Sequence, residues 1–128
     1  MTLPSARRTI TSGSPWEGPY GYSRAVVVGD TCVVAGTTDP THDHPGDATA
    51  QARAAWDIVT RALDEAGFSL ADVVRTRMYV VRAADADAVA RVHGERFGAI
   101  RPASTLVIVA GLLESHMLVE VEAEARRA

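Results

Sequence analysis

Two segments of this 128-residue chain alternate charge in a way that could bring acids and cations together. Glu120, Glu122 and Glu124 recur at every second residue, and so do Arg75, Arg77 and Tyr79. Residues two apart share one face of a strand. If both segments are strands of one sheet, acids and cations meet on one surface. A carboxylate there can act as a general base when it lies within hydrogen-bond reach of the reacting proton. It can equally be held in an ion pair with Arg75 or Arg77, and both readings of Glu120 are open. Ser104 and Thr105 offer hydroxyls that can bind a neutral polar group, or simply pack in a strand. Tyr22 can cover a ligand with its ring and donate from its hydroxyl. Gly36 follows an apolar run, where it permits close backbone approach or an ordinary bend. His42-Asp43-His44 could begin a metal site, but convergence of a further ligand is required. A solvated loop is the simpler reading, and no metal is expected. His93 and His116 stand isolated, without a motif.

Composition narrows the chemistry further. Every one of the 13 Lys-or-Arg positions is arginine. Without lysine there is no side-chain amine for Schiff-base or covalent pyridoxal-phosphate catalysis, and no cofactor is expected. Cys32 is the single cysteine, so neither an intramolecular disulfide nor a thiol-metal cluster can form. Its apolar neighbours read as a buried, inert setting. Net charge is -3 with no basic run, which argues against a nucleic-acid partner. No segment has the length and hydropathy to span a membrane. The N-terminus lacks the order of a signal peptide, so the cytoplasm is the expected location.

The elements that would position these residues can be read from periodicity. Met1 to Gly21 is rich in Gly, Pro and Ser, with a short strand near Arg8 to Thr11. Gly29-Asp30 between two apolar runs predicts a hairpin of Ala25–Val28 and Cys32–Ala35. Thr37 to Asp47 reads as a polar loop. Ala52, Ala55, Trp56, Val59, Leu63 and Ala66 have helical spacing, with Asp47 as N-cap and Gly67 as the stop. A strand is expected over Val73 to Val81, with Val74, Thr76, Met78 and Val80 on its core face. A second helix is expected over about Asp85 to Phe97. Two strands follow, near Thr105 to Val109 and Met117 to Ala125. In the last, Val119, Val121, Ala123 and Ala125 form the apolar face, opposite Leu118, Glu120, Glu122 and Glu124. The order β-β-β-α-β-α-β-β, without repeat or linker, predicts one α+β domain over residues 1–128, with a mixed sheet and two helices on one face. The charged face is no monomer core; it is either solvated or paired with another subunit.

Several of these segments resemble one family. Pro102-Ala103-Ser104-Thr105-x-Val107-x-Val109, followed by Val119-Glu120-Val121-Glu122-Ala123, is similar to the C-terminal signature of the RidA/YjgF proteins, Pro-Ala-Arg-Ser-x-Val-x-Val with a later Val-Glu-Ile-Glu-Ala. Tyr22-Ser-Arg-Ala-Val-x-x-Gly29 resembles their Tyr-Ser-Gln-Ala-Val-x-x-Gly. Val33-Val34-Ala35-Gly36-Thr37, Ala50-Gln51-Ala52-Arg53, Leu63-Asp64-Glu65-Ala66-Gly67 and Asp72-Val73-Val74-Arg75-Thr76 match in order and spacing. The likeness covers about Tyr22 to Ala123. It implies a chorismate-mutase-like fold in a homotrimeric barrel, with three pockets between subunits. It also implies Glu120 orienting water at an imine carbon and Tyr22 lining the pocket mouth.

The departures from the pattern also carry meaning. Ser104 stands where the deaminating members hold the substrate carboxylate with arginine. Leu112-Leu113 replaces Leu-Pro, Arg91 stands where asparagine is common, and the last loop is one residue longer. The resemblance therefore implies a Rid-type trimer of a branch lacking that arginine, and the lysine-free, alanine- and arginine-rich composition points to a high-GC bacterial source. Its pocket, lined by Tyr22, Gly36, Arg77, Ser104, Thr105 and Glu120, would take a small carbonyl, imine or enamine metabolite. If the protein is an enzyme, it is an imine/enamine deaminase-like hydrolase, with weak or no 2-iminopropionate deaminase activity. The alternative is a non-catalytic small-molecule-binding or interaction protein on the same trimeric scaffold.

Overall fold

The computed structural model describes residues 6–128. The first five residues, which begin the Gly/Pro/Ser-rich segment and bear on the leader question, lie outside the described residues. The sheet grows from the hairpin that the sequence announces. Strands β2 (Ala25–Val28) and β3 (Thr31–Thr37) pair antiparallel, with Val28 opposite Thr31. Gly29-Asp30 is thus a two-residue turn, and Gly29 has φ 55°, a conformation that favours glycine. Strand β1 (Arg7–Ile10) adds to the outer side of β2.

Helix α2 (Ala48–Ala66) covers this sheet. Its N-terminus is capped by Asp47, whose side chain accepts from the Ala50 N–H at 3.0 Å. Gly67, at φ 84°, closes its C-terminus. Its apolar face buries Ala52, Ala55, Trp56, Val59 and Leu63 completely. Strand β4 (Val73–Val80), helix α3 (Ala86–Phe97) and strand β5 (Ala103–Ile108) make a crossover unit, and β4 and β5 run parallel. A parallel pair needs such a long connection. Strand β6 (Val119–Arg126) then inserts between β3 and β4, antiparallel to both. The order among the described residues is β1-β2-β3-β6-β4-β5.

Helices α2 and α3 lie on one face, where Val119, Val121, Ala123 and Ala125 of β6 are buried. Trp56 and Phe97 meet edge to face at 5.0 Å beneath them. The other face is open. It carries Glu120, Glu122 and Glu124 beside Arg75, Arg77 and Tyr79, paired by register as Glu124–Arg75, Glu122–Arg77 and Glu120–Tyr79.

Three expectations need correction. A four-residue helix, α1 (Glu17–Tyr20), lies between β1 and β2, in the Gly/Pro/Ser-rich stretch for which no helix was expected. Val74 is 47% exposed and is not on the core face. A register shift between Val73 and Arg75 turns the strand there, so Val73 takes the buried place. Leu118 is buried just before β6 begins and does not share the carboxylate face.

Candidate functional site

The centre of the open face is built by an irregularity in β3. Its register against β6 shifts between Val34 and Thr37, and Gly36 lies in that interval. The hollow over Gly36 is occupied by the Glu120 side chain. A Cβ built on Gly36 would stand 2.5 Å from Glu120 Oε2. The glycine is therefore needed for close approach, and what approaches in the single chain is the candidate base itself. Burial raises the Glu120 pKa, and the neighbouring Glu122 adds to the rise while Arg24 opposes it. The charged form is disfavoured because the carboxylate loses solvent and faces a like charge. No hydrogen bond contributes to the shift, which leaves its oxygens to accept from a ligand or water.

Arg24 is the residue that sequence reading passed over. Its guanidinium donates to the Gly36 carbonyl at 2.9 Å and also to Thr37 Oγ1. Its Nε is buried without a hydrogen-bond partner. The Arg24 guanidinium carbon lies 6.0 Å from the Tyr22 ring centroid, at the outer limit of a cation–π contact. The Tyr22 hydroxyl donates to Ser14 Oγ at 3.3 Å, and the ring remains 37% exposed. Tyr22, Arg24, Gly36 and Glu120 thus form one continuous patch from the segment before β2, β3 and β6. The signal for Arg24 was visible, since it sits where the similar motif has glutamine.

The other expected residues are arranged differently. Arg77 reaches Glu122 at 3.4 Å, and Tyr79 donates to the same carboxylate oxygen at 2.6 Å. That hydrogen bond, with burial, raises the Tyr79 pKa. The ion-pair alternative therefore describes Glu122, while Glu120 stands apart from it. Ser104 and Thr105, as strand neighbours, project to opposite faces. Thr105 is in register with Arg77 on the open face. Ser104 pairs with Thr76 and accepts its hydroxyl at 2.8 Å on the helix side. Thr76 also lies 2.8 Å from His93 Nε2. Burial lowers the His93 pKa, and its ring packs against Phe97 at 4.7 Å. His93 is thus part of a polar chain ending at Ser104 and is not isolated.

Within one chain Ser104 does not meet Glu120. One strand, β4, separates them, and Ser104 is in register with Thr76 whereas Glu120 pairs with Tyr79. A shallow depression on the open face is lined by Val33, Arg75, Arg77, Glu122 and Glu124, and does not include Glu120. The chain therefore holds the candidate residues in two separate groups, one at Glu120 and one at the β5 edge.

The His42-Asp43-His44 segment also resolves. His44 Nδ1 bonds the buried Asp39 carboxylate at 2.8 Å, so it does not converge with His42. Burial would raise the Asp39 pKa, but hydrogen bonds from His44 and from Thr41 outweigh it and lower the value. The same hydrogen bond raises the His44 pKa. No helix among the described residues is long and apolar enough to cross a membrane.

This sheet, with its two helices on one face and its crossover between parallel strands, is the α+β, chorismate-mutase-like architecture of the YjgF proteins. The sequence matches the family described as Endoribonuclease L-PSP over residues 17–127, and the chain belongs to that family, which includes the YjgF/RidA proteins. A Streptomyces coelicolor protein is 42% identical over 130 residues, covering 99% of this chain and 96% of its own. A RutC family protein of Pyrococcus abyssi is 36% identical, covering 84% and 86%. The 3-aminoacrylate deaminase RutC of Acinetobacter baylyi is 37% identical over 82 residues, covering 64% of each chain. Among solved structures, Rv2704 of Mycobacterium tuberculosis, of the YjgF/YER057c/UK114 family, superposes with a TM-score of 0.87 at 45% identity, covering 94% and 99%.

Proposed function

We propose that this chain works as a homotrimer whose subunits build pockets for a small carbonyl, imine or enamine metabolite, and that Glu120 is the general base of an imine hydrolysis there. The observation that carries this reading is the half-buried Glu120 carboxylate, seated over Gly36 with a raised pKa. A carboxylate tuned upward exchanges protons more readily near neutrality. The partial site at Glu120 and the one at the β5 edge would be joined across a subunit boundary. Residues 1–128 act as one domain in this reading, and its place is the cytoplasm.

The chemistry follows from the positions. Glu120 takes a proton from water as the water oxygen bonds the imine carbon and solvent supplies a proton to the imine nitrogen. Protonated Glu120 then gives its proton to the amine of the resulting carbinolamine; the C–N bond breaks, ammonia leaves, and the hydroxyl proton returns to solvent as the carbonyl forms. Tyr22 covers the ligand, and Gly36 leaves the space in which the Glu120 carboxylate sits. An enamine enters the same route once its carbon is protonated. The relative named 3-aminoacrylate deaminase supports this substrate class.

Ser104 sets the limit. With hydroxyls at Ser104 and Thr105, and Ser104 held to Thr76, the β5 edge lacks a bidentate clamp for a carboxylate. Arg77 is engaged by Glu122 and substitutes poorly. The arginine nearest to Glu120's own environment is Arg24, which supports a ligand whose anionic group, if any, sits on the β2–β3 side. The family description names an endoribonuclease. A net charge of -3 and a carboxylate-rich sheet face argue against an RNA substrate.

The test is direct. The trimer is challenged with enamines and imines generated in place by an amino-acid oxidase, and ammonia release is followed with semicarbazide trapping residual imine. Glu120→Gln should keep the trimer and bind ligand while turnover falls by about 10²–10⁴-fold. Glu120→Gln turning over at the wild-type rate would overturn the catalytic role. Absence of turnover in wild type, with ligand bound, would establish the binding-protein alternative. A 2-iminopropionate rate equal to that of an arginine-bearing relative would refute the part assigned to Ser104.

A further inference from the structure

A second cluster, away from Glu120, joins two loops. His42 belongs to the loop between β3 and α2. Glu114 and His116 belong to the loop between β5 and β6. One ligand atom from each of the three lies within 4.8 Å of the others. The His42 and His116 rings are 4.0 Å apart at their centroids, tilted by 34°. His116 Nε2 is buried without a hydrogen-bond partner. An enclosed imidazole nitrogen with nothing to bond is costly, and its ring belongs to a group of donors of the kinds that bind transition metals.

The two loops are held for the purpose of meeting. Gln51 of α2, 3% exposed, donates through Nε2 to the His44 carbonyl at 3.0 Å and to the His116 carbonyl at 3.0 Å. Its Oε1 accepts from the Leu118 N–H at 2.9 Å. A single buried amide therefore staples the first loop to the second, directly at His116. On the other side Asp39, 2% exposed, accepts from the Thr41 N–H and hydroxyl and bonds His44. His42 is thereby carried on a loop anchored at both of its flanks. Outer anchors of this kind are what fix metal ligands in place.

We propose that His42, Glu114 and His116 form a binding site for a divalent transition metal of the zinc class, with a fourth position open to water. The donor set, two imidazoles and one carboxylate, is one that zinc accepts. Ligand bonds of about 2.1 Å in a tetrahedron put ligand atoms about 3.4 Å apart. The cluster must therefore close by at most about 1.4 Å, which rotation of the exposed His42 and Glu114 side chains supplies. The bound ion would clip the β3–α2 loop to the β5–β6 loop, next to the start of the strand that carries Glu120. The site does not depend on the hydrolytic reading and can hold if that reading fails.

The test uses the full chain without a tag, treated with EDTA and titrated with zinc chloride by calorimetry. One ion per chain is expected. Cobalt(II) should bind at the same place and develop the visible absorption of a tetrahedral nitrogen–oxygen site. His42→Ala and Glu114→Gln alter exposed residues and leave the core intact; each should weaken zinc binding roughly tenfold or more. His44→Ala, at the imidazole already committed to Asp39, should retain one ion per chain. Well under one ion per chain for wild type, or affinity unchanged in both His42→Ala and Glu114→Gln, overturns the site.

Discussion

At the scale of single residues, the environment of Glu120 makes two pH predictions with definite signs. Its raised pKa means the folded state holds the proton more tightly than the unfolded chain does. This contribution to stability is complete below the unfolded pKa and declines as pH rises through the folded one. Wild type should therefore lose stability relative to Glu120→Gln as pH climbs from the ordinary glutamate range toward neutrality. Paired denaturant titrations across that range check it. Under the proposed mechanism catalysis runs the other way, because Glu120 must be ionised to act as the base. The kcat/KM for a neutral imine should rise with pH through a value above the ordinary glutamate range, and the pH dependence should vanish in Glu120→Gln. Gly36→Ala offers a separate probe. The added methyl would meet Glu120 Oε2 at 2.5 Å, so the carboxylate must leave its seat. Turnover should fall steeply while the far-UV spectrum is preserved. The Asp39–His44 pair predicts a different window. Its His44 contribution, raised above the ordinary histidine value, is present below about pH 6.5 and fades as pH rises through the folded value. The Asp39 contribution is lost instead as pH falls through its lowered pKa. Histidine NMR titration should show His44 protonated at a higher pH than in His44-bearing Asp39→Asn.

Sequence resemblance pointed to Glu120, Gly36 and Tyr22, because each lies in a contiguous motif. It passed over Arg24, although the position was in view. The reason is that the role of Arg24 comes from reaching across to the next strand, where it meets the Gly36 carbonyl. In the sequence His42 reads only together with Asp43 and His44, and His116 stands without a motif, for a stronger reason. They are far apart in sequence, and only the Gln51 staple between two loops makes them neighbours. Spacing rules see residues on one helix or strand, not across a tertiary bridge.

At the scale of elements, local chemistry was readable wherever the backbone requirement is specific. Asp47 caps α2, Gly67 ends it and Gly29-Asp30 turns the hairpin, each for a reason stated by residue type. Asp47→Ala should cost about 1 kcal/mol of stability, measured as a shift in denaturation midpoint with unchanged slope. Legibility failed where the elements depart from regularity. The bulge beside Val74 moves that residue from the core face to the open one. Strict alternation has no means of showing an extra residue. Helix α1 was hidden by Gly18 and Pro19, residues that usually punctuate loops. Its Trp16 and Tyr20 rings stack at 5.3 Å and stay largely exposed, which places aromatic surface beside the segment that leads to Tyr22.

At the scale of the molecule, the open sheet face decides how the chain behaves in company. It mixes the carboxylates and arginines of β4 and β6 with valines, of which Val28, Val33 and Val107 are 51%, 45% and 40% exposed. Apolar surface among neutralised charges suits contact with another subunit better than exposure. Light scattering at micromolar concentration should give three times the mass of the 13.6 kDa chain, and a monomer would contradict the proposed assembly. Val33→Glu, which adds a carboxylate opposite Glu124, should shift the mass toward that of a single chain without unfolding it.

Strand β5 has a consequence for how the protein comes to be made. It is the last strand on its side of the sheet, and its far side offers unpaired backbone groups along a segment whose Ile108 is 58% exposed. If the proposed trimer forms, a newly released polypeptide carries an adhesive border until it meets a sister copy. Productive association and indiscriminate stacking compete for that border. Recovery from denaturant should depend on how dilution is staged. A charged replacement at the exposed Ile108 should raise the soluble yield at high protein concentration, while the native residue yields more precipitate as the concentration of refolding chains increases.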